Sequence, residues 1–528
     1  MYNRRYKQAE NFPDRLSRLF ADEPEFRLNS DGVAIDESKR PMTRTVTFQV
    51  TDRCNLCCTY CYQINKKTHS MSFETAKKYA DFLLESSMGY DNEYINKDNA
   101  PGLVMEFIGG EPLLEIDLID KITDYFIGRM IELDHPWRRK FMISICSNGV
   151  LYMDPRVQKY IAKHKEYLSF SISIDGNKQL HDSCRVFADG TGSYDIAIQG
   201  VNHYRKVHGG HMGSKMTLAP ANIMYTYDAV MNLIALDYDE IFLNCVFEEG
   251  WQLEHATILY EQLTKVADKM IEDGLFDHIY LSIFEDHCFA PKDPEDDANW
   301  CGGTGAMLSC DYKGDLYPCI RYMESSLGDS VAPMIIGNVD TGIMGTESQK
   351  KCVHCLRSIT RRSQSTDECY YCPIAEGCAW CSAYNYQTFG TADHRATFIC
   401  VMHKARALAN AYYWNKGFRK FAPYFRMKNY VPDEWALQII SQAQLDEIKR
   451  LETFTEEDYA AVEALDPSTV DVEHITHYES CLKTHQPVIT NGYAGDLLRM
   501  QHPKPNSVID TEIDKIINDY IEEVDGNA

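Results

Sequence analysis

Residues Arg44–Cys61 read RTVTFQVTDRCNLCCTYC, and this stretch decides the fold. Its first half alternates, with Val46, Phe48 and Val50 on one face, which is the period of a strand. Its second half sets Cys54, Cys58 and Cys61 at C-x3-C-x2-C on one loop, with Cys57 as an extra thiol inside it. A helical pattern follows in SFETAKKYADFLLESS, where Ser72 suits an N-cap and Phe73, Ala76, Tyr79, Ala80 and Leu83 recur at helical spacing. The same strand–helix unit repeats downstream. LVMEFI, FMISIC and YLSFSISI read as strands, each followed by an amphipathic helix, and SKMTLA, EIFLNCVF and HIYLSIF form three weaker units. Such alternation implies parallel strands covered by helices, as an open α/β sheet or a whole or partial barrel. In these folds ligands meet the loops after the C-terminal strand ends, where the cysteine loop lies.

The remaining chain divides by composition. Residues 1–41 are polar and read as an N-terminal arm, 42–285 carry the repeated units, 286–405 hold a cysteine-rich segment, and 406–528 return to a helical pattern. Of 528 residues 19 are cysteine, and the formal charge is 53 − 78 = −25. That acidic excess argues against a nucleic-acid binder, because phosphate binding needs clustered Lys and Arg. The start of the chain is charged, without the apolar core of a secretory signal, and no run of about 18 apolar residues could span a membrane. The expected setting is therefore a reducing cytoplasm, where clustered thiols usually bind metal rather than form disulfides.

Three thiolates on one short loop can bind three corners of a [4Fe–4S] cube and leave the fourth iron open. A structural zinc site is the alternative, but it needs a fourth ligand, and His69 is the only close histidine.

The triad, with Tyr60 just before its last cysteine and its place after the first strand, resembles the radical S-adenosylmethionine (SAM) enzymes. Later strand ends agree. LVMEFIGGEP supplies Gly109, Gly110, Glu111 and Pro112, which look like the family's loop contacting the SAM amino group. SICSNG supplies Ser147 and Asn148, SISIDG supplies Ser173 and Asp175, and Arg185 follows. The resemblance implies that these residues bind SAM, with Ser173 and Arg185 nearest to its ribose and carboxylate. It also implies a partial (β/α)6 barrel and chemistry through a 5′-deoxyadenosyl radical.

The second constellation comprises Cys301, Cys310 and Cys319, then Cys352 and Cys355, then Cys369, Cys372, Cys378, Cys381 and Cys400. Paired C-x2-C units alone also suit a zinc ribbon, which would make the chain a non-enzymatic interaction scaffold. The order C-x12-G-x4-C followed by C-x2-C-x5-C resembles the SPASM extension of radical SAM enzymes, which carries two auxiliary [4Fe–4S] clusters. Three clusters are then expected. The resemblance assigns Cys369, Cys372, Cys378 and Cys400 to the second auxiliary cluster. It assigns Cys301, Cys319 and Cys381 to the first, with Cys310, or Cys352 and Cys355 in its stead, as a possible fourth ligand.

SPASM enzymes mostly modify peptides or proteins, so a Cys-containing precursor peptide is the expected substrate, with flavodoxin or ferredoxin as electron donor and no nucleic-acid or membrane partner. The run TDRCNLCCTYCYQINK…EFIGGEPLLEIDLI resembles maturases that form thioether bridges in CXXX-repeat precursors. Carbon–carbon cross-linking, epimerisation and formylglycine formation, as in sulfatase maturation, are the alternatives. The formylglycine branch places an Asp base after the cysteine corresponding to Cys319, where this chain has Ile320.

Overall fold

The computed structural model describes residues 43–464, apart from 89–93, 209–212, 248–249, 278, 286–287, 298, 300, 328, 330, 422–424, 426–427, 429–431 and 454. The expected N-terminal arm and residues 465–528 of the expected helical region lie outside the described residues.

Strand–helix alternation builds the first half: β1 (Arg44–Thr51), α1 (Phe73–Met88), β2 (Leu103–Gly109), α2 (Ile116–Glu132), β3 (Phe141–Ser147), α3 (Pro155–His164) and β4 (Leu168–Ile172). It continues through α4 (Lys178–Cys184), α5 (Tyr194–His208), β5 (Gly213–Leu218), α6 (Thr226–Ala235), β6 (Glu240–Cys245), α7 (Leu253–Glu272) and β7 (Tyr280–Leu281). Local chemistry sets the helix starts. Asp154 caps α3 by accepting from Arg156 N, with Pro155 in the first turn, where its missing N–H costs nothing.

β1 to β4 pair in parallel, as do β5 to β7. Side-chain alternation gives this sheet two unlike faces. Phe48 meets Tyr79 of α1, Phe107 and Phe126 of α2, with ring centroids 4.7, 5.5 and 6.4 Å away. Its face is therefore the one covered by helices, and Val46, Met105, Ile143, Ile145, Phe170 and Ile172 are buried with it. The opposite face carries Thr47, Gln49, Glu106, Ser144, Cys146, Ser169 and Ser171, an inner surface of small and polar side chains. Thr47 Oγ1 donates to Glu106 Oε2 across it at 2.9 Å.

The ladder breaks between β4 and β5, so the barrel is partial. Side chains bridge the break: Ser214 Oγ donates to Ile174 O at 2.8 Å, and Thr217 N donates to Asp175 Oδ1 at 3.3 Å. A carboxylate thus takes a place that a ladder carbonyl would fill.

The cysteine-rich segment does not stand apart from this sheet. β8 (Met307–Cys310) pairs in parallel with the free edge of β1, and β9 (Asp315–Tyr317), β10 (Gly337–Asn338) and β11 (Gly342–Ile343) extend the sheet antiparallel. Tyr79 of α1 and Tyr94 of the connection to β2 donate their hydroxyls to Leu308 O and Met307 O, fastening β8 to the barrel. The helices here are α8 (Glu347–Arg357) and α9 (Ser382–Phe389); α10 (Cys400–Phe421) then runs across the expected boundary at 405/406. α10 packs along α7, and Asn410 Nδ2 donates to Ile283 O and Glu285 O. The short helices α11 (Asp433–Ile439), α12 (Gln442–Glu452) and α13 (Glu456–Glu463) complete the helical region. No described helix is long and apolar enough to cross a membrane.

Phe48 is wholly buried where β1, α1 and α2 meet. Phe48→Ala should cost about 3–5 kcal/mol through lost transfer energy and the cavity left behind. A urea titration followed by far-UV circular dichroism should show an earlier midpoint, and an unchanged midpoint would contradict this packing.

Candidate active site

The triad loop is fixed by neighbours at other strand ends. Gly110 N donates to Thr51 O and Glu111 N to Arg53 O, at 3.1 and 2.9 Å. On the other side Cys57 N and Thr59 N donate to Val186 O and Cys184 O, at 2.7 and 2.9 Å. A Cβ on Gly110 would fall 2.3 Å from Arg53 O and 2.8 Å from Cys54 Cβ, so only glycine permits this approach.

Cys54, Cys58 and Cys61 share one electrostatic neighbourhood. Burial pushes the Cys58 thiol up to about 11, with Cys61 and Cys54 adding to the rise and the Arg185 charge opposing it. Burial likewise raises Cys54. Asn148 Nδ2 approaches Cys54 Sγ at 3.9 Å and donates to Asn55 Oδ1 at 2.7 Å. The Lys66 ammonium faces all three thiols and bonds to Cys61. Cys57 is exposed and lies outside this neighbourhood. Three neighbouring thiols flanked by the Lys66 and Arg185 cations suit an anionic, thiolate-held iron–sulfur centre bound at three corners. His69 pairs through Nδ1 with Asp52 at 3.0 Å, and its ring stacks on Tyr312 at 4.1 Å.

The expected SAM-contact residues divide into two kinds. Glu111 is buried; it accepts from Leu113 N, Ser147 Oγ and Asn148 N at 3.1, 2.7 and 2.8 Å. It therefore locks the ends of β2 and β3 together, with Ser147 as its partner and Pro112 starting the 3-10 turn over residues 112–115. Asp175 is also wholly buried and accepts from Arg185 Nε at 2.8 Å, Arg185 Nη2 at 3.4 Å and the Tyr60 hydroxyl. Arg185 lies 5.5 Å over the Tyr60 ring. Glu111, Ser147 and Asp175, read from sequence as contacts, are covered by protein and act by holding other groups in place. Gly110, Asn148, Tyr60 and Arg185 border the thiols, while Gly109 packs against Thr51. Ser173 stands on the inner face, its Oγ 3.4 Å from Cys146 Sγ.

The downstream cysteines form two further sets. Cys301, Cys319 and Cys381 gather at the start of α9, where Cys301 Sγ and Ser382 Oγ are 3.1 Å apart. Burial raises Cys319, and the Cys381 and Cys301 charges raise it further. Cys369, Cys372, Cys378 and Cys400 surround Arg395, whose Nη2 reaches Cys378 Sγ at 3.1 Å. Burial pushes Cys400 up to about 12, with Cys378, Cys369 and Cys372 adding to it. The short C-x2-C spacing does not keep Cys381 from its partners.

Cys310, a possible fourth ligand in the sequence reading, is placed apart from the first set. It is fully buried in β8 within the apolar core of the sheet, and its charged neighbours are Asp311 and Asp315 rather than the other thiols. Cys352 and Cys355 sit one turn apart on α8, each the other's neighbour, with Cys355 exposed. Sequence reasoning missed Lys66 and Tyr62. Tyr62 lies in reach of both Cys61 and Cys319 and is covered by the Arg321 guanidinium at 5.1 Å. Its position directly after Cys61, and a lysine five residues after the triad, were the available signals.

No protein-family profile matches the chain. It is 30% identical to the uncharacterised protein MJ0907 of Methanocaldococcus jannaschii, over 51% of this chain and 82% of that one. It is 24% identical to the serine-type anaerobic sulfatase-maturating enzyme of Bacteroides thetaiotaomicron, over 54% and 71% respectively. It is 21% identical to the radical SAM cyclopropyl synthase TigE of Paramaledivibacter caminithermalis, over 68% and 72%. In fold it resembles the structure of native anSMEcpe with bound AdoMet and Cp18Cys peptide, with a TM-score of 0.52 and 16% identity, over 71% of this chain and 99% of that one. The chain shares a family with the methanogen protein, and its other relatives are radical SAM enzymes that modify peptides or proteins.

Proposed function

We propose that this chain is a SPASM-type maturase that installs Cys-sulfur-to-carbon thioether bridges in a ribosomally made precursor peptide. In this reading Cys54, Cys58 and Cys61 hold the SAM-binding [4Fe–4S] cluster. Cys301, Cys319 and Cys381 hold a first auxiliary cluster, and Cys369, Cys372, Cys378 and Cys400 a second. The observation that carries it is the three-thiol set at Cys301, Cys319 and Cys381, which has lost Cys310 to the core and faces the triad across Tyr62. A set short of one thiol leaves room for a thiolate from the peptide.

When bound, the reduced cluster and SAM supply a carbon radical able to remove hydrogen from an unactivated carbon. The chain's own part is placement and charge. Asn148, Lys66 and Arg185 surround the triad, and Asp175 keeps Arg185 and Tyr60 from moving. Burial raises the thiols of this chain, and the same low dielectric would keep an incoming peptide thiol protonated. Cys301, Cys319 and Cys381 would hold a centre whose open position could take the peptide sulfur as a thiolate beside the acceptor carbon. Bond formation takes one hydrogen from carbon and one proton from sulfur. Of the two electrons released, one would leave with the hydrogen and the other would be accepted by an auxiliary centre held by the downstream cysteines. Ile320, following Cys319, leaves formylglycine chemistry without the base expected at that place.

Anaerobic incubation of the reduced enzyme with SAM and a Cys-rich precursor should lower the peptide mass by one hydrogen molecule per bridge. A mass change matching thiol-to-aldehyde conversion would instead assign the sulfatase-type reaction. Replacing Cys54, Cys58 and Cys61 by Ala should abolish 5′-deoxyadenosine release while iron persists at the other sets, and retained release would refute the triad assignment. Cys381→Ser should stop bridging. Cys310→Ser should still bridge but lose about 1–3 kcal/mol of stability for a buried hydroxyl, read by urea denaturation and product yield side by side.

A further inference from the structure

The four-thiol set around Cys378 has surroundings that the set at Cys301, Cys319 and Cys381 lacks. Arg395 Nη2 donates to Cys378 Sγ at 3.1 Å and to Cys378 O at 3.0 Å. The Arg395 backbone N–H is pinned to Gln364 O at 3.1 Å, so this guanidinium is anchored at both ends. On α10, Cys400, His403 and Arg406 follow at intervals of three, which places them along one side of the helix. His403 is buried, and both its ring nitrogens lack a hydrogen-bond partner among the described residues. Arg406 lies 5.4 Å over the Phe289 ring, its Nε is also unpartnered, and its charge acts on Cys378 together with that of Arg395. Buried donors without partners call for an acceptor, and inorganic sulfide beside the thiolates is one.

We infer that the cationic Arg395 and Arg406, with the neutral imidazole of His403 as a further N–H donor, form a shell that raises the reduction potential of the second auxiliary centre and makes it the sink for electrons leaving the first. This rests on the cluster reading given above. Each added electron places one more negative charge in a buried site, and fixed positive charge and N–H donors stabilise the reduced form more than the oxidised one. The first set has Arg321 and the Ser382 hydroxyl for company, and hence a weaker bias. Arg395 and Arg406 are positioning residues in this account, because they act through the centre and touch no substrate.

Full-length enzyme should be titrated potentiometrically and followed by electron paramagnetic resonance, with iron, sulfide and zinc counted in each sample. In Arg395→Gln the reduced-to-oxidised ratio of one auxiliary wave should fall at least about tenfold at a fixed poise, equivalent to about 59 mV for a one-electron couple. The other auxiliary wave should stay in place. Arg395→Lys should recover most of the shift, because the charge remains. If Arg395→Gln fails to retain iron, Arg406→Gln, which removes a charge without touching a hydrogen bond to sulfur, decides by the same wave. Full iron with an unmoved wave overturns the donor shell alone. Zinc in place of iron at these cysteines in the parent protein overturns the cluster reading and the inference with it.

Discussion

Thiols brought together inside a protein oppose one another as anions, and burial makes each thiolate dearer still. That constraint governs the chain in three places. Around the triad the opposition is met by Lys66 and Arg185, and around Cys378 by Arg395 and Arg406. Around Cys319 less cationic help is at hand. The apolar cluster beneath that set is small, comprising Tyr317, Cys319, Tyr322, Met323, Leu356, Ile359, Ala383 and Ala392. Such a cluster cannot order more than fifty residues of loops and short helices unaided. In the cluster reading proposed above, metal held by the thiols would relieve the opposition and supply the missing cohesion, making ligation and folding of this segment one process.

Asp175 plays the matching part in the barrel. Its buried carboxylate accepts from Arg185, Tyr60 and Thr217 N, and so joins the triad loop, the segment after α4 and the first strand beyond the break. His181 strengthens the arrangement: Asp175 N approaches its Nδ1 at 3.4 Å, while its Nε2 meets Ser193 Oγ at 3.0 Å. Burial holds this imidazole down near 4, in its neutral form. The network makes Arg185 a charge whose position is set before any ligand arrives, which is the condition for electrostatic help without reorganisation.

The first strands were legible because one face of each is apolar and the other polar, as Phe48 beside Thr47 and Phe107 beside Glu106 show. β7 was overestimated because only two residues of HIYLSIF pair before the chain turns into a 3-10 segment. β8 was not legible at all, since four residues, MLSC, carry no period. This is also why Cys310 was misplaced: spacing between cysteines cannot tell a thiol on a metal from a small buried side chain in a strand. Glu111, Ser147 and Asp175 were found at the right strand ends. Whether such a side chain touches a ligand or holds a neighbour depends on hydrogen bonds between distant segments, which no local pattern records.

Cys310 nevertheless bears on how the two regions work together. It stands in register with Phe48, and the triad loop begins just past the end of the same strand. The strand pair β1–β8 therefore carries the triad at one end and leads through β9 to Cys319 at the other. Electron transfer between centres falls steeply with distance, so two sets joined by a flexible linker would exchange electrons erratically. A shared ladder of backbone hydrogen bonds removes that freedom. If both sets hold clusters as proposed, the barrel and the cysteine-rich segment would form a single device, with the buried Cys310 of β8 part of the packing that sets the gap between its two centres.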